Sequence, residues 1–275
     1  MPRTVVITGA SDGIGAAAAA QISAAGENVV IVGRNQAKTR RVAARLDAPW
    51  HIADFRDLSQ VRDLAAALRE TCPRIDVLAN NAGGIFGRRT LTRDGFELTF
   101  QVNHLGGFLL TNLLMDRLLA DGAAVVQTSS VAARRFSKFS VYDLQTEHGY
   151  TPTLAYANAK LANILFTKEL YRRYGEQGLH PVAFHPGAIA SGFAAASTGA
   201  WKFIYTNPVT TRMLSTNEEG GARLSRLALG TPGFDWQPGE YYAADTEKPA
   251  RTHRLASDPV LAKRLWERSA EMVGL

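Results

Sequence analysis

The stretch that decides the fold is RTVVITGASDGIG, residues 3–15, in which a short apolar run leads into a turn with three glycines. The apolar run has the length and composition of a buried strand, and the alanine-rich segment after the turn is helical in pattern. Glycines allow a tight turn there and let backbone N–H groups approach a pyrophosphate at the start of the helix. The candidate ligand-binding residues of this turn are Gly9, Ser11, Asp12, Gly13, Ile14 and Gly15.

The same alternation of strand and helix patterns continues along the chain. Six further apolar runs have strand length: NVVIVG (28–33), WHIAD (50–54), IDVLAN (75–80), AAVVQTS (123–129), HPVAFH (180–185) and GEYYAAD (239–245). Helical patterns separate them, including the long segment 94–119 and an amphipathic segment at 151–175. Short continuous apolar strands joined by helices predict an α/β fold in which both faces of a parallel sheet are covered. We therefore expect a single doubly wound (Rossmann) domain over residues 1–275, with a seven-stranded parallel sheet.

The position of the glycine-rich turn in this arrangement determines how strongly it indicates a dinucleotide-binding site. Its spacing is Gly-x-x-x-Gly-x-Gly, which differs from the common dinucleotide fingerprint Gly-x-Gly-x-x-Gly. A glycine-rich turn alone is weak evidence, but its position between the first strand and first helix of a βαβ array makes it strong evidence. Because doubly wound sheets bind ligands beyond the carboxyl ends of their strands, the informative residues should directly follow each strand.

Composition and charge narrow the class of protein. The chain is 46% hydrophobic and 20% charged, with a formal net charge of +6. That charge could indicate a nucleic-acid partner, yet the basic pairs are scattered and no dense run is interleaved with aromatic residues. These pairs are Arg40-Arg41, Arg88-Arg89, Arg134-Arg135 and Arg172-Arg173. A small polyphosphate ligand explains part of the excess equally well, so we expect no nucleic-acid partner.

The sequence also bears on location. No stretch reaches about 18 uninterrupted apolar residues, and the first ten residues lack the apolar region of a signal peptide. The single cysteine, Cys72, rules out a disulfide within the chain and suits a reducing compartment. It precedes Pro73 at the end of a charged helix, which favours a bystander over a nucleophile. We therefore expect a cytoplasmic protein that does not span a membrane.

The end of the second strand bears on the cofactor. Enzymes that bind NAD often place an acidic residue here, which holds the ribose 2′-hydroxyl. This chain instead has Gly33 followed by Arg34, whose guanidinium could pair with a 2′-phosphate. The alternative is that Arg34 is only a solvated loop residue. The pattern favours NADP(H) over NAD(H).

Polar or small residues follow the other strands as well. Asp54 and Phe55 follow the third strand, where a polar–aromatic pair suits the edge of an adenine. The fourth strand ends in ANNAGG, which supplies Asn81, Ala82 and Gly83, where a backbone must come close to a ribose. Taken singly, each could be ordinary turn chemistry. His185 ends the sixth strand without a partner at metal-ligand spacing, so a structural role at the turn is favoured and no metal site is expected.

The stretch YANAK places a phenol and an ammonium four residues apart, at Tyr156 and Lys160. Residues four apart share one face of a helix, so the two polar groups project side by side. The spacing alone allows two interpretations, a working pair or two polar residues on a solvated helix face. The choice between them depends on the rest of the chain.

Several motifs, taken in order, resemble the short-chain dehydrogenase/reductase superfamily over essentially the whole chain. They are TGxxxGIG, NNAG, a serine after the fifth strand, YxxxK, and a PG after the sixth. Three further stretches are similar to the branch of retinol dehydrogenases and the WW-domain oxidoreductase: FQVNHLGGFLLTNLL (100–114), LAYANAKLANILFTKEL (154–170) and LAKRLWERS (261–269). So is the 26-residue interval from Ser130 to Tyr156, roughly double that of compact members. An N-terminal membrane anchor, common in that branch, is not apparent here, so retinoid specificity is not carried over.

The resemblance implies a role for each matching residue. Tyr156 would be the general acid/base and Lys160 its partner, Ser130 would orient the substrate oxygen, and Asn103 would hold a water in the proton relay. The cofactor-binding set would be completed by Tyr156, Lys160, Pro186, Gly187, Ile189 and Ser191. Ser191 stands where the family often has threonine, and the hydroxyl is kept.

The chemistry of the pair is consistent with this role. A free tyrosine has a pKa near ~10 and is a poor base at neutral pH. A lysine ammonium beside it, together with the positive nicotinamide, stabilises the phenolate. Lowering the pKa of the phenol by about three units requires roughly 4 kcal/mol of differential stabilisation. Two nearby cations in a partly dry site can supply that amount, which favours the working pair.

The two segments expected to wall the substrate site are an insertion at 134–151 and an apolar lid at 192–214. The alternative for the lid is packing on the scaffold or on a second subunit of a homo-oligomer. The leading interpretation of the whole chain is an NADP(H)-dependent oxidoreductase that transfers hydride between nicotinamide and a carbonyl or alcohol of a lipophilic small molecule. The alternative is an NADP-binding sensor or regulatory protein without turnover, which would not need all four of the catalytic residues.

Overall fold

The computed structural model describes residues 1–187, 215–243 and 248–275, and the statements that follow concern these residues. Within them, seven strands form one parallel sheet in the order β3-β2-β1-β4-β5-β6-β7. The strands are β1 (Thr4–Thr8), β2 (Asn28–Gly33), β3 (Trp50–Ile52), β4 (Val77–Asn80), β5 (Ala124–Thr128), β6 (His180–Phe184) and β7 (Tyr241–Tyr242). The prediction of a doubly wound seven-stranded parallel sheet is confirmed.

Helices cover both faces of this sheet. They are α1 (Gly13–Ala24), α2 (Gln36–Leu46), α3 (Leu58–Thr71), α4 (Leu98–Phe100), α5 (Gly106–Leu113), α6 (Met115–Ala120), α7 (Ala132–Arg135), α8 (Pro152–Tyr174), α9 (Asn217–Leu229) and α10 (Pro259–Val273). No helix in the described ranges is both long enough and apolar enough to cross a membrane.

The core lies on both faces of the sheet because the strands alternate their side chains between two apolar layers. In β1, Val6 packs into the layer that contains α3, α5 and α8, whereas Val5 and Ile7 pack into the layer with α1 and α9. All three are fully buried. Continuous runs of β-branched residues suit strands that are covered on both sides, which is why the sequence pattern identified them.

The long pattern at 94–119 does not form one regular helix. After α4 the chain forms a single π-helical turn, Gln101–Leu105, before continuing as α5 and then α6. Glu97 caps the start of this region by accepting hydrogen bonds from the N–H groups of Thr99 and Phe100. Single π-helical turns inside α-helices are frequent at functional sites, and Asn103 lies in this one.

The sequence predicts an amphipathic helix around YANAK, and this part of the prediction is wrong. The helix is present as α8, but nearly every residue from Ala155 to Leu170 is buried. It lies against the sheet, α7, α10 and the π-helical turn, so it has no solvated face along this length. A tyrosine and a lysine in its middle are therefore core residues, which excludes the interpretation as a wet helix face.

Candidate active site

The carboxyl ends of β1, β4 and β5 are joined by the side chain of Asn81. Its Nδ2 donates to the carbonyl oxygen of Thr8 at 3.0 Å, and its Oδ1 accepts from Thr128 Oγ1 at 3.2 Å. The Asn81 backbone N–H also donates to Thr8 Oγ1 at 3.0 Å. Asn81 therefore holds three strand ends in place, and it shapes the edge at which the predicted site residues meet.

The glycine-rich turn has a shape that only glycine permits. Gly9 and Gly13 have φ angles of +67° and +56°, a region that residues with a Cβ rarely adopt. A Cβ on Gly15 would come within 2.5 Å of the carbonyl oxygen of Gly9 and 2.7 Å of Asn81 Nδ2. The turn thus brings bare backbone to the start of α1, which fits the phosphates of a dinucleotide.

Asp12 and Arg34 flank this turn. Asp12 caps α1 by accepting from the N–H of Gly13 at 2.8 Å, and it forms an ion pair of 2.6 Å with Lys38. The hydrogen bond from Lys38 is the main reason that the pKa of Asp12 lies below its ordinary value. Arg34 is exposed directly after β2. The sequence prediction missed Lys38, although its place in the first turn of α2 could have indicated a second cation beside Arg34.

The two predicted adenine-contact residues after β3 differ in environment. Asp54 is partly exposed, and its Oδ1 accepts from the N–H of Arg56 at 3.1 Å. The ring of Phe55 is 5% exposed and packs in the core, where a Cβ on Gly106 would come within 2.6 Å of it. The aromatic side chain therefore supports the fold, and it offers no open face to a ligand.

The Tyr156–Lys160 pair lies in the interior of the molecule. The two side chains belong to residues that are 5% and 2% exposed, and Lys160 Nζ is 5.5 Å from the centre of the Tyr156 ring. Lys160 Nζ also donates to the carbonyl oxygen of Thr128 at 3.0 Å. Burial lowers the pKa of Lys160 to about 7. A phenol and an amine in this arrangement can exchange a proton with an oxygen atom of a ligand.

The segment after β4 lies next to this pair and is held there by Asn103. Asn103 Nδ2 donates to the carbonyl oxygens of Gly84 and Thr99, both at 2.8 Å, and its Oδ1 accepts from the Gly84 N–H at 3.1 Å. A Cβ on Gly83 would come within 2.6 Å of Asn103 Oδ1 and 3.1 Å of Lys160 Nζ. The absence of a side chain at Gly83 therefore leaves room for both polar groups. Ala82 is tied to the end of β1, since its N–H donates to Thr8 Oγ1 at 3.0 Å.

The two serines after β5 have different roles. Ser129 is buried and donates to the carbonyl oxygen of Lys160 at 2.7 Å, so it anchors α8. Ser130 is partly exposed, and its Oγ accepts from the N–H of Ala132 at 3.2 Å. Ala132 and Tyr156 belong to one small apolar cluster, together with Ile85 and Ala157. Of the two serines, Ser130 is the one with a hydroxyl available to a ligand.

The sixth strand ends in a turn held by its own histidine. His185 Nδ1 accepts from the N–H of Gly187 at 3.0 Å, which gives the histidine the structural role expected for it. Gly187 has a φ of +93°, and the carbonyl of Pro186 accepts a hydrogen bond from Arg223. Ile189 and Ser191, the other predicted cofactor residues after this strand, lie outside the described residues, as does the predicted lid at 192–214.

The insertion at 134–151 packs on the N-terminal half of α8. Asn158, two residues after Tyr156, accepts hydrogen bonds through its Oδ1 from Ser137 Oγ at 2.8 Å and from the Lys138 N–H at 3.1 Å. The other end of the segment is fixed by Gln145, whose Oε1 accepts from the N–H of Glu97 at 2.8 Å. These contacts hold the segment over the N-terminal half of α8.

Two buried residues near the pair were missed by the sequence prediction. His104 is 1% exposed, and its ring lies between Phe100, Phe108 and Phe166, with centroids 5.1 to 5.9 Å away. Its Nδ1 is 3.1 Å from Asn163 Oδ1. Asn163 lies three residues after Lys160, so the two side chains lie near one face of α8. This spacing could have identified Asn163 from the sequence.

Burial also makes His104 a source of acid sensitivity. The pKa of His104 is lowered to about 4, whereas an unfolded histidine has a pKa of about 6.5. The neutral ring thus contributes its full stability above about pH 6.5, and this is lost as the pH falls towards 4 because only the unfolded chain takes up the proton. The shift corresponds to about 3 kcal/mol.

We therefore expect the difference in unfolding free energy between wild type and His104→Phe to shrink by about 3 kcal/mol as the pH falls from about 7 to about 4. Urea unfolding at a series of pH values measures this difference. The phenylalanine variant keeps an aromatic ring but cannot titrate, so the contribution of other histidines cancels in the comparison. A difference that does not change with pH would contradict the expectation.

Comparison with known proteins places the chain in a family. Residues 3–200 match the family model described as short chain dehydrogenase. A Streptomyces sp. (strain C5) protein that carries the provisional name daunorubicin C-13 ketoreductase is 40% identical over 279 residues, covering 99% of this chain and 93% of that protein. Human retinol dehydrogenase 13 is 33% identical over 285 residues, covering 99% and 85%.

A solved structure agrees with these sequence matches. The crystal structure of an uncharacterised protein from Mycobacterium paratuberculosis has a TM-score of 0.76 and 32% identity, covering 99% of this chain and 93% of that one. The resemblance predicted from the motifs, including its retinol dehydrogenase-like relatives, is confirmed. The family acts with a nicotinamide cofactor on CH–OH or C=O groups of small molecules. This chain is an oxidoreductase of the short-chain dehydrogenase/reductase family.

Proposed function

We propose that the protein is an NADP(H)-dependent oxidoreductase that interconverts a carbonyl and an alcohol on a lipophilic small molecule, with Tyr156 as the general acid/base. The observation that carries the proposal is the buried pair itself. Lys160 Nζ lies 5.5 Å from the Tyr156 ring, in a core helix that also faces the Ser130 and Asn103 regions. Two ionisable side chains are rarely placed in a core unless they are paired or functional.

Each residue has a stated task in this proposal. When bound, the nicotinamide supplies or accepts the hydride. In the reductive direction, the Tyr156 hydroxyl donates a proton to the carbonyl oxygen as the alcohol forms. The Ser130 hydroxyl holds that oxygen in place, and Lys160 stabilises the phenolate that Tyr156 becomes. The cradle of Gly9, Gly13 and Gly15 would hold the cofactor phosphates.

The proposed substrate class follows from the walls of the site and from the relatives. Ile85, Ala132 and Ala157 form an apolar cluster around Tyr156. The relatives' names refer to a ketoreductase for daunorubicin and to a dehydrogenase for retinol. These facts support a lipophilic ketone, aldehyde or alcohol as the substrate.

The test of the proposal is a panel of carbonyl compounds and alcohols, assayed with both NADPH and NADP⁺. Turnover is followed through the absorbance of the reduced nicotinamide. The expected result is activity on apolar carbonyl compounds, with little on small polar ones. Binding of NADPH with no turnover on any lipophilic carbonyl would instead favour a sensor.

Arg34 carries the expected preference for NADP(H). We expect Arg34→Ala to weaken NADP(H) binding by about 1.5–3 kcal/mol, the scale of a charge-assisted hydrogen bond, and to leave NAD(H) binding nearly unchanged. The reason is that only NADP(H) carries the 2′-phosphate. Calorimetric titration of both cofactors measures the two affinities.

A matched control is available on the next helix. Arg45 lies in the last turn of α2, so Arg45→Ala removes the same charge without touching the end of β2. It should change neither affinity by more than a few tenths of a kcal/mol. Equal losses for NADP(H) and NAD(H) in Arg34→Ala would show that the arginine does not read the 2′-phosphate.

A further inference from the structure

Two backbone carbonyl oxygens beside the catalytic pair share one donor, the side-chain amide of Asn163. Asn163 Nδ2 donates to the carbonyl oxygen of Asn103 at 3.0 Å and to that of Thr128 at 3.2 Å. The Thr128 carbonyl is also the acceptor for Lys160 Nζ at 3.0 Å. Asn163 is 2% exposed. One amide group thus connects the π-helical turn, the end of β5 and the lysine.

These contacts fix the orientation of the amide. Both hydrogens of Nδ2 point to carbonyl oxygens, which can only accept, so Oδ1 must face His104. His104 Nδ1 therefore carries the proton and donates to Asn163 Oδ1 at 3.1 Å. His104 Nε2 then accepts from Ser269 Oγ at 3.0 Å. Ser269 is fully buried on α10, so the orientation of Asn163 is held from a distant helix.

The charge environment of Lys160 is simple within the described residues. Its titratable neighbours are Tyr156, at 5.5 Å from Nζ to the ring centre, and His104, whose charged form Lys160 disfavours. Burial is the cause of the altered pKa of Lys160, with no carboxylate contributing. Neutral acceptors, rather than an opposite charge, therefore determine where the amine rests.

We propose that Asn163 is a positioning residue for the Tyr156–Lys160 pair: its amide satisfies the Asn103 carbonyl and shares the Thr128 carbonyl with Lys160 Nζ, which weakens the hold of that carbonyl on the amine. The inference rests on the proposed function, since it assigns Asn163 to the pair's chemistry. Without the Nδ2 donors, the Thr128 carbonyl would be a stronger acceptor for Lys160 Nζ and would hold the ammonium away from the phenolate. Tyr156 would then lose part of the stabilisation of its ionised form.

The test compares three variants in the cofactor-free protein and in turnover. Asn163→Ala removes both donors without adding a charge, and Asn163→Leu removes them while keeping a side chain of similar size. Thr167→Val is the matched control, because Thr167 is fully buried on the same helix and its hydroxyl donates to the Asn163 carbonyl at 2.9 Å, not to the carbonyl of Asn103 or Thr128. The primary measurement is NMR titration of isotope-labelled tyrosine Cζ, with the Tyr156 resonance assigned through Tyr156→Phe.

In both Asn163 variants the titration of Tyr156 should move upwards by at least about one pH unit relative to wild type. The rate of alcohol oxidation near neutral pH should fall by about tenfold, since each unit lowers the phenolate fraction tenfold. Thr167→Val should lower the urea midpoint without moving the titration. Asn163→Ala keeps the experiment decisive if Asn163→Leu does not fold.

The outcomes separate the two proposals. A wild-type Tyr156 that titrates near ~10, with no turnover, contradicts the proposed function. If the pKa of Tyr156 is lowered in the wild type and is the same in the folded Asn163 variants, the positioning role is contradicted and the proposed function still stands. A shift of equal size in Thr167→Val would also overturn the positioning role, because it would show that any loss of packing in α8 disturbs the pair.

Discussion

Replacing Tyr156 with phenylalanine is expected to remove most turnover while keeping the fold and the affinity for the cofactor. The ring is buried in the cluster with Ile85, Ala132 and Ala157, and phenylalanine keeps that packing. Only the hydroxyl is lost, and with it the proton donor to the forming alcohol. General acid–base groups contribute about 10²–10⁴-fold, so a loss of that size or larger is expected in kcat.

The measurement is steady-state turnover on a substrate that the wild type uses well, with cofactor affinity determined separately by NADPH fluorescence. Tyr174→Phe is a suitable control, because it removes a phenol from the far end of the same helix, where the ring packs on Trp266. Near-normal turnover in Tyr156→Phe would show that the phenol is not the acid/base, despite its position.

Lys160→Ala is expected to have an effect of similar size and to act in two ways. The phenolate of Tyr156 loses a neighbouring positive charge, and the cofactor loses a contact, so both turnover and cofactor affinity should fall. Burial lowers the pKa of Lys160 to about 7, so the lone amine is near its midpoint at neutral pH. The centre of the Tyr156 ring lies 5.5 Å from Lys160 Nζ, so a phenolate there favours the charged form of the amine. The two groups therefore titrate as a coupled pair.

The pH profile measures this coupling. In the wild type the rate of alcohol oxidation should rise with pH through an apparent pKa well below 10, and in Lys160→Met this limb should move upwards. Lys160→Arg keeps the charge but not the compact donor, so it should rescue poorly. A Lys160→Met profile that superimposes on that of the wild type would remove lysine from the proposed mechanism.

The parallel sheet was predictable because each strand is a short apolar run with turn residues after it. Val5, Val6 and Ile7 illustrate this, since all three are buried but on two different faces. The strand-end positions follow from the topology of parallel sheets, so Ser130 and Gly83 could be located without coordinates. That the hydroxyl of Ser130, rather than that of Ser129, is available to a ligand agrees with the role that the family resemblance implies for Ser130.

The parts that were wrong or missed depend on contacts between distant residues. The α8 helix reads as amphipathic, yet the sheet, α7 and α10 bury it on all sides over its middle turns. The ring of Phe55 fills the space that Gly106 on α5 leaves open, which the local sequence does not indicate. The partners of His104 lie 59 and 165 residues further along the chain. Local periodicity contains no information on such pairings.

The long separation between His104 and Ser269 also matters during synthesis on the ribosome. A nascent chain can pair its first six strands and form α8 before Ser269 has been translated, since that residue follows His104 by 165 positions. Until α10 docks, His104 Nε2 lacks the donor that fixes the ring, and the amide of Asn163 has lost its distant support. Lys160 is therefore translated well before Ser269, and the hydrogen-bond network around it is completed only when α10 has formed. Completion of the catalytic centre is in this way tied to translation of α10, so a polypeptide released early would lack the contact that closes the network.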